Sequence, residues 1–96
     1  MCSAKEASER REVYFSGRVQ GVGFRYTTRQ IASRYAVRGF VKNLHDGRVV
    51  LVVEGDAGEL ERFLAAVEAE LDRHIEHRES AALPASGEFT GFEVRY

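Results

Sequence analysis

Gly17-Arg18-Val19-Gln20-Gly21-Val22-Gly23-Phe24-Arg25 places three glycines within seven positions and closes on an arginine. On its N-terminal side Val13 and Phe15 alternate with Tyr14 and Ser16, the period of a strand with one face on a core. On its C-terminal side Phe24, Thr28, Ile31, Ala32 and Tyr35 recur at steps of three and four, with Arg29, Gln30, Ser33 and Arg34 between them. That is the period of a half-buried helix. The stretch is thus a tight strand-to-helix turn, and the helix starts near Phe24 or Arg25. Such a turn leaves several N–H groups without intrachain partners at the positive end of the helix dipole, an arrangement suited to an anion and most often to phosphate. It is not a Walker A loop, which needs Gly-Lys-Ser or Gly-Lys-Thr where this chain has Gly23-Phe24-Arg25. The dinucleotide fingerprint fails as well, because Tyr26 stands at its third glycine. A ligand-free turn is the competing explanation of the glycines taken alone.

Outward from this turn, residues 1–11 are small, charged and aperiodic, and are expected to form a flexible tail ahead of a single domain at 12–96. Val37 to Leu44 reads as a second strand, with Val37, Gly39 and Val41 on one face and Phe40 on the other; Asp46-Gly47 signals a hairpin turn. The near-continuous Val49-Val50-Leu51-Val52-Val53 run marks a central third strand. Asp56, with Glu59 three residues on, resembles a capping box, and Leu60, Phe63, Leu64, Val67 and Leu71 form the core stripe of a second helix running to about Arg73. His74 to Leu83 alternates weakly, as a short polar edge strand would, and Phe89, Phe92, Val94 and Tyr96 make a last strand after the turn at Pro84 to Gly87.

The order β-α-β-β-α-β-β is a split β-α-β arrangement plus one strand. It predicts an α+β, ferredoxin-like sandwich, a mixed, mostly antiparallel sheet with both helices on one face. Right-handed crossovers make the first two strands parallel, with the third between them. Their C-terminal ends then lie at one edge, about 10 Å apart at ~4.8 Å per strand. Those ends carry the glycine loop and Lys42-Asn43, so Asn43 is the candidate to face an anion held in the loop.

Composition narrows the classes of function. Ninety-six residues, 44% of them hydrophobic, suit one core. Fourteen basic against fifteen acidic residues give a net charge of −1, so no global basic field attracts nucleic acid or an anionic membrane. No apolar run approaches the ~20 residues that span a bilayer, and the first twelve residues lack the apolar segment of a signal peptide. The lone Cys2 cannot form an intrachain disulfide, which suits a reducing cytoplasm. His74 and His77 lack further ligands nearby in sequence, so no metal site is expected, and His45 and Asp46 are explained by the hairpin turn.

Three segments together resemble the acylphosphatases: the loop Gly17 to Arg25; Gly39-Phe40-Val41-Lys42-Asn43-Leu44-His45-Asp46-Gly47; and Gly91-Phe92-Glu93-Val94-Arg95-Tyr96. The resemblance spans nearly the whole chain beyond the tail and departs only at His74 to Pro84, which is shorter and more polar than the family's fourth strand. It implies that the loop from Gln20 to Arg25 (Gln20, Gly21, Val22, Gly23, Phe24 and Arg25) binds the substrate phosphate through backbone amides. Arg25 would bind it through its guanidinium as well, and Asn43 would orient the attacking water. The implied substrate is a small acyl phosphate and the implied product inorganic phosphate, with no cofactor or metal, in a cytoplasmic, monomeric enzyme.

A second class of reading is a non-catalytic ferredoxin-like module binding RNA or protein. Arg38-Gly39-Phe40 opens like an RNA-recognition signature, but Val41, Lys42, Asn43 and His45 break it, and near-neutral charge argues against RNA. A third is an acylphosphatase-like accessory domain of a carbamoyl-transfer system. The length of the chain favours the free enzyme.

Overall fold

The computed structural model describes residues 8–21 and 23–96. The chain runs β1 (Ser8–Gly17), α1 (Phe24–Ala32), β2 (Val37–Asn43), β3 (Val49–Asp56), α2 (Ala57–Leu71), a 3₁₀ turn (Asp72–His74), β4 (Ile75–Pro84) and β5 (Phe92–Arg95). The strands form one sheet in the order β4-β1-β3-β2-β5. β1 and β2 both pair antiparallel with β3, so they are parallel to each other with β3 between them, as the crossover rule requires. β4 pairs antiparallel with β1, and β5 lies parallel to β2 at the other edge.

Alternation along the strands decides which face is covered. Val13 and Phe15, Val37 and Val41, and Val49, Leu51 and Val53 form one buried cluster with Phe24, Ile31 and Ala32 of α1 and Leu60, Phe63, Leu64, Val67 and Leu71 of α2. Both helices therefore pack on the same face, and the expected ferredoxin-like sandwich is the fold observed. The stripe expected of the second helix is buried along its whole length. Its cap is half of a capping box. Asp56 accepts from the N–H groups of Gly58 and Glu59, while the Glu59 carboxylate turns away to accept from the Ala36 N–H at 2.8 Å. That contact ties the start of α2 to the entry of β2.

β2 ends at Asn43, α2 at Leu71 and β5 at Arg95, each a residue or two short of the sequence expectation, and three differences are larger. β1 begins at Ser8, so Ser8 to Arg11 belong to the sheet and not to a tail ending at residue 11; the rest of that expected tail, and Cys2, lie outside the described residues. β4 is a full ten-residue strand, long for its polarity because every residue beyond Ile75 is exposed at the sheet edge, where charge is tolerated. Phe89 is not in β5. It packs edge-on against Phe40 at 5.8 Å between centroids, and β5 starts three residues later.

Among the described residues, the face opposite the helices carries one fully buried charge. Glu54 on β3 is 0% exposed; it accepts from Arg10 Nε at 2.8 Å, from the Ser86 and Gly87 N–H groups at 2.8 and 3.0 Å, and from the Ser86 hydroxyl at 2.9 Å. Burial pushes its carboxyl up. The Ser86 and Gly87 amides, the Arg10 guanidinium and the Ser86 hydroxyl outweigh that and hold it down to about 2. This cluster pins the β4–β5 connection to the sheet and so fixes how the chain enters β5. Glu54→Gln puts an amide –NH₂ against donors, and is expected to cost about 2 kcal/mol, a fall in Tm of roughly 10 °C. Because the folded pKa lies below the unfolded one, the wild-type contribution is present above the ordinary carboxylate range and is lost as pH falls through about 2. Thermal melts should show the gap between wild type and variant narrowing from pH 7 to pH 3; a constant gap would mean that charge contributes nothing.

Candidate active site

The glycine loop is pegged at both ends by apolar side chains. Val19 and Phe24 are 0% and 1% exposed, and the Phe24 ring packs against Phe15 of β1 with centroids 5.2 Å apart. The backbone between them must turn outward, and it does so at Gly21 and Gly23, whose φ angles of +80° and +78° are left-handed and favour glycine. Gly23 is the N-cap of α1. No side chain caps this end and no acidic residue occupies the first turn, so the helix presents its N-terminal amides and dipole without a built-in counter-charge.

Gly21, Gly23, Phe24, Arg25 and Asn43 line one concavity of about 140 Å³, together with Val19, Tyr26, Val94 and Tyr96. None of these lining residues is acidic. The placement follows from topology: parallel β1 and β2 deliver the loop and Asn43 to the same sheet edge, and β5, parallel to β2, adds Val94, with Tyr96 just past its end. The Arg25 guanidinium is held from behind. Its Nη1 donates to the Arg95 carbonyl at 3.0 Å, and the Tyr96 ring lies 4.6 Å from its central carbon, a cation–π distance. The remaining N–H donors of the fork have no protein partner among the described residues. Asn43 is among the residues lining the concavity, and its Oδ1 is a buried acceptor with no hydrogen-bond partner among the described residues.

Two of the loop residues singled out from the sequence stand differently. Gln20 is not among the lining residues; its side-chain amide donates to the Leu44 and Arg48 carbonyls at 2.8 and 2.9 Å and ties the loop to the β2–β3 turn that follows Asn43. Val22 lies outside the described residues. Sequence reasoning assigned no role to Tyr26, Val94 or Tyr96. The Gly91 to Tyr96 segment carried the only signal for the last two. His74 and His77 lie beyond α2 and are not among the residues lining the concavity, and no group of three His, Cys, Asp or Glu that could hold a metal ion occurs among the described residues.

The acylphosphatase family model matches residues 11–94. The chain belongs to the acylphosphatase family. An acylphosphatase of Rubrobacter xylanophilus is 47% identical over 96 residues, covering 99% of this chain and 86% of the relative. Another, from Lactobacillus johnsonii, is 41% identical over 83 residues, covering 84% of this chain and 91% of the relative. The crystal structure of acylphosphatase from Bacillus subtilis superposes with a TM-score of 0.82 at 29% identity, covering 92% of this chain and 99% of that one. The resemblance carried by the loop, the β2 motif and the C-terminal segment is thus matched across the whole acylphosphatase fold.

Proposed function

We propose that the chain, an acylphosphatase that hydrolyses acyl phosphates to a carboxylate and inorganic phosphate, does so with Arg25 and the loop amides preceding it holding the phosphoryl group and Asn43 positioning the water; Gln20, whose side chain braces the neighbouring turn, is given a supporting place only. The observation that carries this reading is the convergence of an uncapped helix N-terminus, a half-engaged guanidinium and an asparagine with an unpartnered amide oxygen on one concavity with no acidic side chain in its lining. About 140 Å³ holds a phosphoryl group and a water, each water occupying roughly 30 Å³ in the liquid.

The chemistry follows from charge. Arginine presents a planar fork that matches two phosphate oxygens and stays protonated at any working pH. Asn43 can accept a hydrogen bond from water through Oδ1 without setting a negative charge beside the anion; an aspartate would repel it. The water oxygen attacks phosphorus, the bond from phosphorus to the acyl oxygen breaks, and the electron pair leaves on the carboxylate. Since the conjugate acid of that leaving group has a pKa of only about 4 to 5, no general acid is needed. The water proton passes to a phosphate oxygen, and the protein contributes position and preorganised positive charge. In the same reading the enzyme is a monomer that works in the cytoplasm, in keeping with its lone Cys2.

Benzoyl phosphate is expected to be hydrolysed equally well with and without EDTA, and inorganic phosphate to inhibit competitively. Turnover lost in EDTA and restored by Mg²⁺ or Zn²⁺ would assign the positive charge to a metal and overturn the role given to Arg25.

A further inference from the structure

The large hydrophobic side chains exposed among the described residues are Tyr26 at 66%, Leu83 at 39% and Tyr96 at 92%. Single exposed apolar residues need no explanation. Here, however, the two tyrosines line the same concavity, the one that takes the phosphoryl group in the reading above. Their situations differ. One face of the Tyr96 ring is taken by the Arg25 guanidinium at 4.6 Å, whereas Tyr26 has no aromatic or cationic partner among the described residues.

Tyr26 also bounds a second, shallower depression of about 300 Å³, shared with Arg29, Gln30 and Ser33 along the exposed side of α1. Its ring is the ridge between the two. A phosphoryl group seated against the loop amides has to direct its acyl substituent out of the small concavity, and this ridge is an apolar surface at the exit. Ligand sites commonly combine a few convergent polar groups with an aromatic wall of this kind. Nothing in the fold calls for an aromatic residue at position 26: the apolar stripe of α1 is Phe24, Thr28, Ile31 and Ala32, all buried without it.

We infer that Tyr26 is the acyl-binding wall of the site and favours substrates whose acyl group is planar and large enough to cover its ring, such as aromatic acyl phosphates, over short ones. This rests on the acyl phosphate reading above and adds the substrate class to it. The contact involves the part of the substrate that does not change during reaction. It therefore acts equally on ground and transition states, and it shows in KM more than in kcat.

The test compares benzoyl phosphate with acetyl phosphate for wild type, Tyr26→Ser and Tyr26→Phe. Taking ratios between substrates removes the difference in their intrinsic reactivity. In Tyr26→Ser the benzoyl-over-acetyl ratio of kcat/KM should fall about tenfold, the scale of one lost aromatic contact with its buried area, and the fall should lie in KM for benzoyl phosphate. Tyr26→Phe should keep the wild-type ratio. An unchanged ratio in Tyr26→Ser, or a loss equal on both substrates, overturns the inference while leaving the hydrolase reading intact. A ratio lost in Tyr26→Phe as well assigns the effect to the hydroxyl and also overturns it. Wild-type protein that turns over neither substrate removes the hydrolase reading, and the acyl wall with it.

Discussion

Arg25→Gln should lower kcat/KM for benzoyl phosphate by a hundred- to a thousandfold while leaving the fold and Tm nearly unchanged. The kinetic size is that of removing one preorganised donor to a developing anion. The structural indifference has its own cause. A cation in the first turn of α1 opposes the helix dipole by roughly 0.3–1 kcal/mol. Against this stand one hydrogen bond to the Arg95 carbonyl and the cation–π contact with Tyr96. Both contacts are solvent-exposed, which weakens them, and they oppose the dipole effect in sign, so the net structural contribution of Arg25 is small. Arg25→Lys should recover only part of the activity, because a lysine keeps the charge and loses the two-pronged geometry. Steady-state kinetics and melts on both variants check this; a large loss of stability with activity per folded molecule intact would make Arg25 a structural residue.

Asn43→Ala should reduce kcat at least a hundredfold, the range expected when a reactant is no longer held in line for attack. The backbone of Asn43 ends the β2–β3 ladder opposite Val49 and is unaffected by the change. Its Oδ1 accepts no hydrogen bond from the described residues, so truncation breaks no protein hydrogen bond to that oxygen. Asn43→Asp should be at least as slow, since it sets a carboxylate beside the anion. A kcat for Asn43→Ala within a few-fold of wild type would reassign Asn43 to the hairpin.

The features legible in the sequence are those governed by short-range periodicity. The α2 stripe from Leu60 to Leu71, the Val49 to Val53 run and the strand-to-helix turn at Gly17 to Arg25 each follow from spacing within one element, and topology then brings Asn43 opposite the loop. What was hidden depends on partners distant along the chain. Ser8 to Arg11 read as a solvated tail because Glu9, Arg10 and Arg11 are charged; Arg10 is in the sheet because its guanidinium meets a buried carboxylate 44 positions away. Gln20 was assigned through its backbone, and nothing local announced that its side chain would brace carbonyls 24 and 28 residues on. Tyr96 could not be placed over Arg25 until β5 was known to lie parallel to β2. Phe89, alternating in step with Phe92 and Val94, looked like strand and instead covers Phe40 on the far face.

In the proposed mechanism the labour is divided, Arg25 binding the phosphoryl group and Asn43 placing the water. Calorimetric titration of inorganic phosphate into wild type, Arg25→Gln and Asn43→Ala tests it without reference to turnover. Asn43→Ala is expected to bind phosphate within about twofold of the wild-type dissociation constant, and Arg25→Gln at least about tenfold more weakly, the loss of a charge-assisted contact of roughly 1.5 kcal/mol or more. Phosphate bound as tightly by Arg25→Gln as by wild type would contradict it.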